Sequence, residues 1–238
     1  MPFEQMDEQR VASYLQMDLR EVRKLSSRGQ MPCRKVGGRF VYMKADLDHW
    51  IEQQMPELDR KRLADIEKGV SEHHGYDSHE RMHLVELVPN GGVAVPLGSR
   101  TREATIRALV HLADEAGMVY AKEELTDAIR QREQVCTTAL APGVALPHPR
   151  HPLPYDIAQS FVVVGLTSSG IPFGAEDGSL TRLFFLICCK DESTHLHVLA
   201  RLARMLHDQG DVDTLLACED ADALREKLIG IEKAALGE

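Results

Sequence analysis

The sequence contains no GxxxxGK[ST] loop and no kinase-type glycine loop, which argues against a nucleotide as the source of any phosphate the protein handles. It has no HExxH pair, and its five cysteines, Cys33, Cys136, Cys188, Cys189 and Cys218, are not set at ligand spacing. No metal and no other cofactor is therefore expected. Cys188 and Cys189 are adjacent in the apolar run LFFLICC, where strand neighbours face opposite sides, so they read as core rather than as a CxxC-like redox pair. There is no long apolar span, no signal peptide and no internal repeat. With the scattered cysteines, this gives the expectation of a reduced, cytoplasmic protein without membrane insertion.

What the chain does have is an uneven distribution of charge. Residues 1–55 carry a net charge of +1 and residues 56–238 a net charge of −10. A chain of 238 residues with 43% hydrophobic content can bury more than one core. Three segments are expected: a small module over 1–55, a charged and partly helical linker over 56–84, and a larger domain over 85–238. The linker's His73, His74, His79 and His83 have no cysteine or HExxH companions and read as solvated.

From Met6 to Ile51 the pattern predicts helix, turn, helix, hairpin and a short closing helix. Val11, Ala12 and Leu15 give the first helix an apolar stripe. Asp18 can cap a second helix whose Val22 and Leu25 face inward and which Gly29 ends. In KVGGRFVY, Gly37 and Gly38 form the two-residue tip of a tight hairpin. Trp50 reads as closing the small core. Between Arg20 and Lys44 there are eight Lys or Arg against one acid, Glu21, a phosphate-contacting footprint in which Arg20, Arg23, Lys24, Lys35 and Arg39 are the candidate DNA contacts. The segment resembles the excisionase and MerR-like winged helix-turn-helix modules. That resemblance implies DNA as a partner, with a homodimer as one binding form, since such modules commonly bind in pairs; a module turned to protein interaction or dimerisation is the alternative.

The larger domain alternates helices at Arg102 to Ala116, Lys122 to Gln131, around His195 and near Ala221 to Leu228 with strands at Ser160 to Leu166 and Arg182 to Cys188. Alternation of this kind, with strands apolar on both faces, predicts helices layered on a sheet, and the whole chain reads as α+β. In GVALPHPR, Pro147 and Pro149 fix their own φ and hold His148 extended at a strand end, a displayed ring suited to accepting a phosphoryl group. A surface turn that happens to contain histidine is the alternative. In STHLHVLARLARML, apolar residues recur at helical spacing, Ser193 or Thr194 can serve as N-cap, and His195 falls in the first turn on the face of Leu199, Leu202 and Leu206. Arg132, sixteen positions before His148, supplies a planar, permanently charged fork.

GVALPHPR, the QREQV segment with Arg132, and THLHVLARLARML together resemble the fructose, mannitol and nitrogen-regulatory class of enzyme IIA phosphocarriers of the bacterial sugar phosphotransferase system, from about Val85 to the C-terminus. The resemblance implies a mixed sheet flanked by helices, His148 as the residue phosphorylated by an HPr-type donor protein, and His195 and Arg132 lining the pocket around the phosphoryl group. His197 is typical of the nitrogen-regulatory branch. Two features depart from the family pattern. Pro149 stands where glycine is usual, and CTTALAPG replaces a glycine-rich loop, with Thr137 and Thr138 either substituting for lost phosphate-binding amides or simply packing the loop. The expected function is a IIA-like phosphocarrier and regulator that couples phosphorylation of His148 to DNA binding. A transport component passing phosphate to a IIB domain, and a binding regulator never phosphorylated, are the alternatives.

Overall fold

The computed structural model describes residues 4–73, 82–140 and 143–238, and the chain divides into two compact units. Unit one runs to Arg81 and also takes in Leu196–Arg204, while unit two comprises Met82–His195 and Met205–Glu238. Among the histidines expected in the linker, His74 and His79 and the side chain of His73 lie outside the described residues.

In unit one, strand β1 (Gln5–Met6) leads into helix α1 (Glu8–Tyr14), which is capped by the Asp7 carboxylate on Arg10 N. Helix α2 (Leu19–Ser27) starts at Asp18, whose side chain accepts from Arg20 N, and Gly29 follows its end at φ 67°. Strands β2 (Arg34–Val36) and β3 (Arg39–Met43) pair antiparallel with Val36 opposite Arg39. Between them Gly37 and Gly38 sit at φ 57° and 82°, the left-handed pair that a two-residue hairpin requires. With β1 on the far side, the sheet order is β1-β3-β2. Helix α3 (Lys44–Gln54) closes the module, and Trp50 donates from Nε1 to the Gln30 carbonyl at 2.9 Å.

Val11, Tyr14, Leu15, Val22, Met31, Tyr42, Leu47 and Ile51 form the buried interior of this module, while Leu25 is only half-buried. Lys44, counted with the basic stripe in the sequence, is in fact buried at 2% exposure. Its Nζ donates to Asp48 Oδ2 at 2.6 Å and lies 5.1 Å from the centre of the Tyr14 ring, while the Tyr14 hydroxyl donates to Asp48 Oδ1 at 2.7 Å. The reason is geometric: position 44 begins α3 on its inward face, so its charge is spent on Asp48. Helix α4 (Arg60–His73) follows, burying Leu63, Ile66 and Val70 at helical spacing.

Unit two is built on a five-stranded mixed sheet of order β4-β7-β8-β6-β5. The long central pair is β7 (Phe161–Ile171) and β8 (Thr181–Cys188), antiparallel with Phe161 opposite Cys188. Flanking it are β4 (Val93–Ala94), parallel to β7, and β6 (Val144–Ala145), parallel to β8, with β5 (Ala139–Leu140) antiparallel at the edge. Phe161 to Val164 and Leu183 to Ile187 are buried without interruption, so both faces of this pair are covered. Helices α5 (Arg102–Glu115) and α6 (Lys122–Val135) supply Ile106, Leu109, Val110, Leu125 and Ile129 to the core that contains Phe161, Val163, Phe184 and Leu186. Gly165 is needed there, because a Cβ would lie 2.7 Å from Leu97 Cδ2.

Helix α7 (Glu192–Met205) has its first turn in unit two and its residues 196–204 in unit one. It is capped by Asp191, whose carboxylate accepts from Thr194 N and Thr194 Oγ1, both at 2.8 Å, rather than by Ser193 or Thr194. Helices α8 (Gln209–Leu216) and α9 (Ala221–Leu236) complete the unit, packed against β8 and β4 respectively. The fully buried Glu232 of α9 accepts from the amides of Leu84 and Val85, at 2.5 and 3.1 Å, and fixes the start of the unit.

Candidate functional site

The chain leaves β6 at Ala145 in a conformation that the sheet continues to hold. The Leu146 amide donates to the Thr138 carbonyl at 3.0 Å, and the Pro147 carbonyl accepts from Ile187 N at 2.9 Å. The two prolines carry no amide proton, so the segment is anchored through Leu146 N and Pro147 O. His148 therefore sits directly beyond the last sheet bond, buried at 3% exposure.

Its ring turns back so that Nδ1 lies 2.7 Å from the Leu146 carbonyl oxygen. A carbonyl can only accept, so Nδ1 carries the proton and, in the neutral ring, Nε2 carries the lone pair. The sequence left this tautomer open.

The structure brings His195 to His148: the ring centroids are 4.9 Å apart with the planes inclined at 57°. His195 is half-buried in the first turn of α7, and the geometry fits its expected inward direction.

Arg132 stands in the last turn of α6, which ends at Val135, four residues beyond the end foreseen at Gln131. It is 7% exposed and donates from Nη1 to the Cys136 carbonyl at 2.8 Å, so its cation closes the C-terminal end of the helix. The neighbouring Glu133, buried and not singled out from the sequence, accepts from Thr138 N at 3.1 Å and from Thr138 Oγ1 at 2.6 Å. Thr137 Oγ1 donates to the Phe173 carbonyl at 3.3 Å and accepts from Ala139 N at 3.1 Å. Both threonines thus hold the loop between α6 and β5, which favours loop packing over a substitute for phosphate-binding amides. Through Thr138, bonded to Glu133 on one side and to Leu146 on the other, the end of α6 and the His148 segment are tied together.

In unit one, Arg20, Arg23 and Lys24 lie exposed on one face of α2, and Lys35 and Arg39 lie exposed on the hairpin. Arg23 Nε is 3.3 Å from Glu8 Oε1, and Lys35 Nζ is 5.9 Å from the centre of the Phe40 ring. Cys188 and Cys189 are core, as expected, and burial pushes both thiols up from their ordinary range.

A histidine pair beside the end of a mixed sheet covered by helices defines a IIA-type fold. The chain belongs to the family described as phosphoenolpyruvate-dependent sugar phosphotransferase system, EIIA 2, whose profile matches residues 86–229, and a helix-turn-helix domain profile matches residues 7–55. The chain is 34% identical over 147 residues to the nitrogen regulatory protein of Bradyrhizobium diazoefficiens, covering 60% of this chain and 92% of that protein. It is 28% identical over 145 residues to the PTS system fructose-specific EIIABC component of Bacillus subtilis, of which it spans 22%. Among solved structures, the nitrogen regulatory protein IIA-Ntr from Neisseria meningitidis superposes with a TM-score of 0.54 at 23% identity, over 60% of this chain and 97% of that one. IIA mannitol from Escherichia coli does so with 0.51 at 23% identity, over 58% and 96%. No helix among the described residues is long and apolar enough to cross a membrane.

Proposed function

We propose that the protein is a phosphocarrier-type regulator that accepts a phosphoryl group on His148 Nε2 from an HPr-type phosphoprotein, and that its helix-turn-helix module carries this state to DNA. The observation that supports the reading best is the His148 ring itself, its Nδ1 proton on the Leu146 carbonyl and the His195 ring 4.9 Å away. The Nε2 lone pair forms the new N–P bond while the donor's N–P bond breaks and its electron pair returns to the donor. Nδ1 stays protonated, and its bond to the Leu146 carbonyl helps carry the positive charge the ring gains. Arg132 is the cation offered to the equatorial oxygens, and His195 the second ring of the pocket.

The five exposed cations, Arg20, Arg23, Lys24, Lys35 and Arg39, form the proposed DNA face. Phosphate brings roughly −1.5 to −2 charges to the acidic part of the chain, a change large enough to alter its interactions. The test is incubation with phosphoenolpyruvate, enzyme I and an HPr-type carrier. An acid-labile gain of one phosphate, lost in His148→Ala, supports the carrier chemistry, and no gain with any donor overturns it. Identical DNA affinity for the phosphorylated protein and for His148→Asn would overturn the coupling.

A second reading is onward transfer to a IIB domain. It is favoured by the family and by the neighbouring structure of a complex between enzyme IIAMTL and phosphorylated enzyme IIBMTL from Escherichia coli, TM-score 0.51. Labelled phosphate appearing on a IIB protein would favour this version.

A further inference from the structure

The Leu146 carbonyl that accepts from His148 Nδ1 is held from two sides, and the two sides differ in stiffness. Toward the sheet centre, the carbonyl of the next residue, Pro147, accepts from Ile187 N of β8, a strand paired with β7 on one flank and β6 on the other. That anchor is rigid. Toward the sheet edge, Leu146 N donates to the carbonyl of Thr138, the residue just before β5, which has two residues and is paired on one flank alone. So short an edge holds little by itself.

Glu133 supplies the missing support. It stands on the 14-residue helix α6, is 4% exposed, and takes the Thr138 amide on both oxygens, at 3.1 and 3.2 Å, and the Thr138 hydroxyl on Oε2 at 2.6 Å. Among the described residues these are its only hydrogen bonds, so a whole buried carboxylate is committed to one threonine. Hydrogen bonds to a carboxylate are about twice as strong as neutral ones, and gripping the amide and the hydroxyl together fixes both the backbone and χ1 of residue 138. Three contacts then run in series from Glu133 to Thr138, from Thr138 to Leu146 and from Leu146 to His148, all within unit two.

We infer that Glu133 is a positioning residue for His148: by clamping Thr138 it keeps the Leu146 carbonyl aimed at Nδ1, and so keeps Nε2 as the ring nitrogen that bears the lone pair. The functional meaning rests on the proposed phosphorylation of His148, whereas the geometric content does not. Glu133 acts through Thr138 and Leu146 rather than on the ring. The Leu146 carbonyl persists in every side-chain variant, and what a variant changes is where that carbonyl points. A neutral imidazole released from it divides between its two tautomers, and one of them carries its proton on the nitrogen that must attack. Misplacement near 1 Å can cost roughly a hundredfold in rate.

The experiment uses the full chain as wild type, E133A, E133Q and T138V, with folding checked by thermal melting. Imidazole 15N spectra of unphosphorylated His148, taken where the ring is neutral, give its tautomer fractions, and kcat and KM are measured with phospho-HPr as donor. Wild type should show the Nδ1-protonated tautomer alone. For E133A we expect a visible fraction of the Nε2-protonated form and a kcat lowered about tenfold or more with KM for the carrier unchanged, an effect of misplacement rather than of lost binding. E133Q keeps an amide oxygen that accepts from Thr138 N, so it should restore most of both; impairment equal to that of E133A would overturn the geometric account. If E133A fails to fold, T138V, which removes the hydroxyl half of the grip and leaves the amide half, carries the same expectation at smaller size. A single Nδ1-protonated tautomer and wild-type kcat in the folded variants overturn the inference. Failure of wild type itself to be phosphorylated sinks the phosphocarrier reading, while the tautomer fractions still decide whether Glu133 positions His148.

Discussion

The ring of His148 folds back on its own chain, Nδ1 lying 2.7 Å from the carbonyl oxygen of Leu146. Because the acceptor is backbone, no side-chain substitution nearby removes it, and the tautomer is built into the strand end. Phosphohistidine formed here should therefore be the Nε2 isomer, which 15N spectra of the phosphorylated protein distinguish from the Nδ1 isomer. Phosphate found on Nδ1 would mean that the ring leaves the Leu146 carbonyl before it reacts.

Arg132 combines a fixed fork with a bond to the Cys136 carbonyl. Arg132→Lys keeps charge but not the planar fork, and Arg132→Ala removes both. Loss of one preorganised donor to a developing phosphoryl charge costs about 10² to 10³ in rate, so Arg132→Ala should fall in that range, with lysine intermediate. Single-turnover phosphorylation by phospho-HPr measures it. An alanine variant phosphorylated at the wild-type rate would remove Arg132 from the transfer step and leave it only its cap on α6.

Glu133 gives the loop after α6 its shape by accepting twice from Thr138. Its replacement by Ala leaves the buried Thr138 amide without that acceptor. Hydrogen bonds to a charged group contribute about 1.5 to 3 kcal/mol each, so a loss of about 2 to 3 kcal/mol in urea unfolding is expected. Phosphorylation should slow as well, since the same loop anchors Leu146.

Much of this was readable from sequence where the signal was local. The Gly37-Gly38 tip, the Asp18 cap and the uninterrupted apolar runs of β7 and β8 each reflect chemistry confined to a few neighbouring residues. Where structure and sequence part, the deciding partner is distant or the element too short. Strands β4, β5 and β6 have two residues each, too few for an alternation to appear. Helix α6 runs on to Val135 through a polar stretch because Arg132 and Glu133 find partners in the following loop. Helix α8 is not legible in the sequence because its eight residues include Gly210 and offer only Val212 and Leu215 to the interior. Lys44 looked like part of the basic stripe because its partner Asp48 is visible only once α3 is placed against Tyr14. The buried hydrogen bond from Arg201 to Glu67 joins residues 134 positions apart, which no local pattern can show.

The burial of Lys44 separates two kinds of lysine in the basic stripe. With a DNA ligand for the module, Lys24→Ala or Arg20→Ala should lower affinity and reduce the slope of log K against log salt by about 1 each, as expected for one lost phosphate contact. Lys44→Ala should leave the slope of any folded fraction alone and destabilise the module by about 3 to 5 kcal/mol, because it removes the cation paired with the buried Asp48 carboxylate. Thermal melts together with binding measured across salt concentrations test both. An unchanged slope in Lys24→Ala and Arg20→Ala alike would take α2 off the DNA.

The cysteines should sort by burial. The thiolate is the reactive form, and burial, aided by the neighbouring Cys189 thiol for Cys188 and by the Asp191 charge for Cys189, pushes both core thiols well above their ordinary range. At pH 8 a thiol reagent should therefore modify the exposed Cys136 within minutes and leave Cys188 and Cys189 untouched until the protein is unfolded. Raising the pH should gain little at the core pair, because burial holds both thiols in the protonated form well above their ordinary range. Mass mapping of the modified peptides reads this directly. Early labelling at Cys188 or Cys189 would mean that the sheet end carrying the two thiols opens locally in the native state, and with it the segment that holds His148, since Ile187 N is bonded to Pro147.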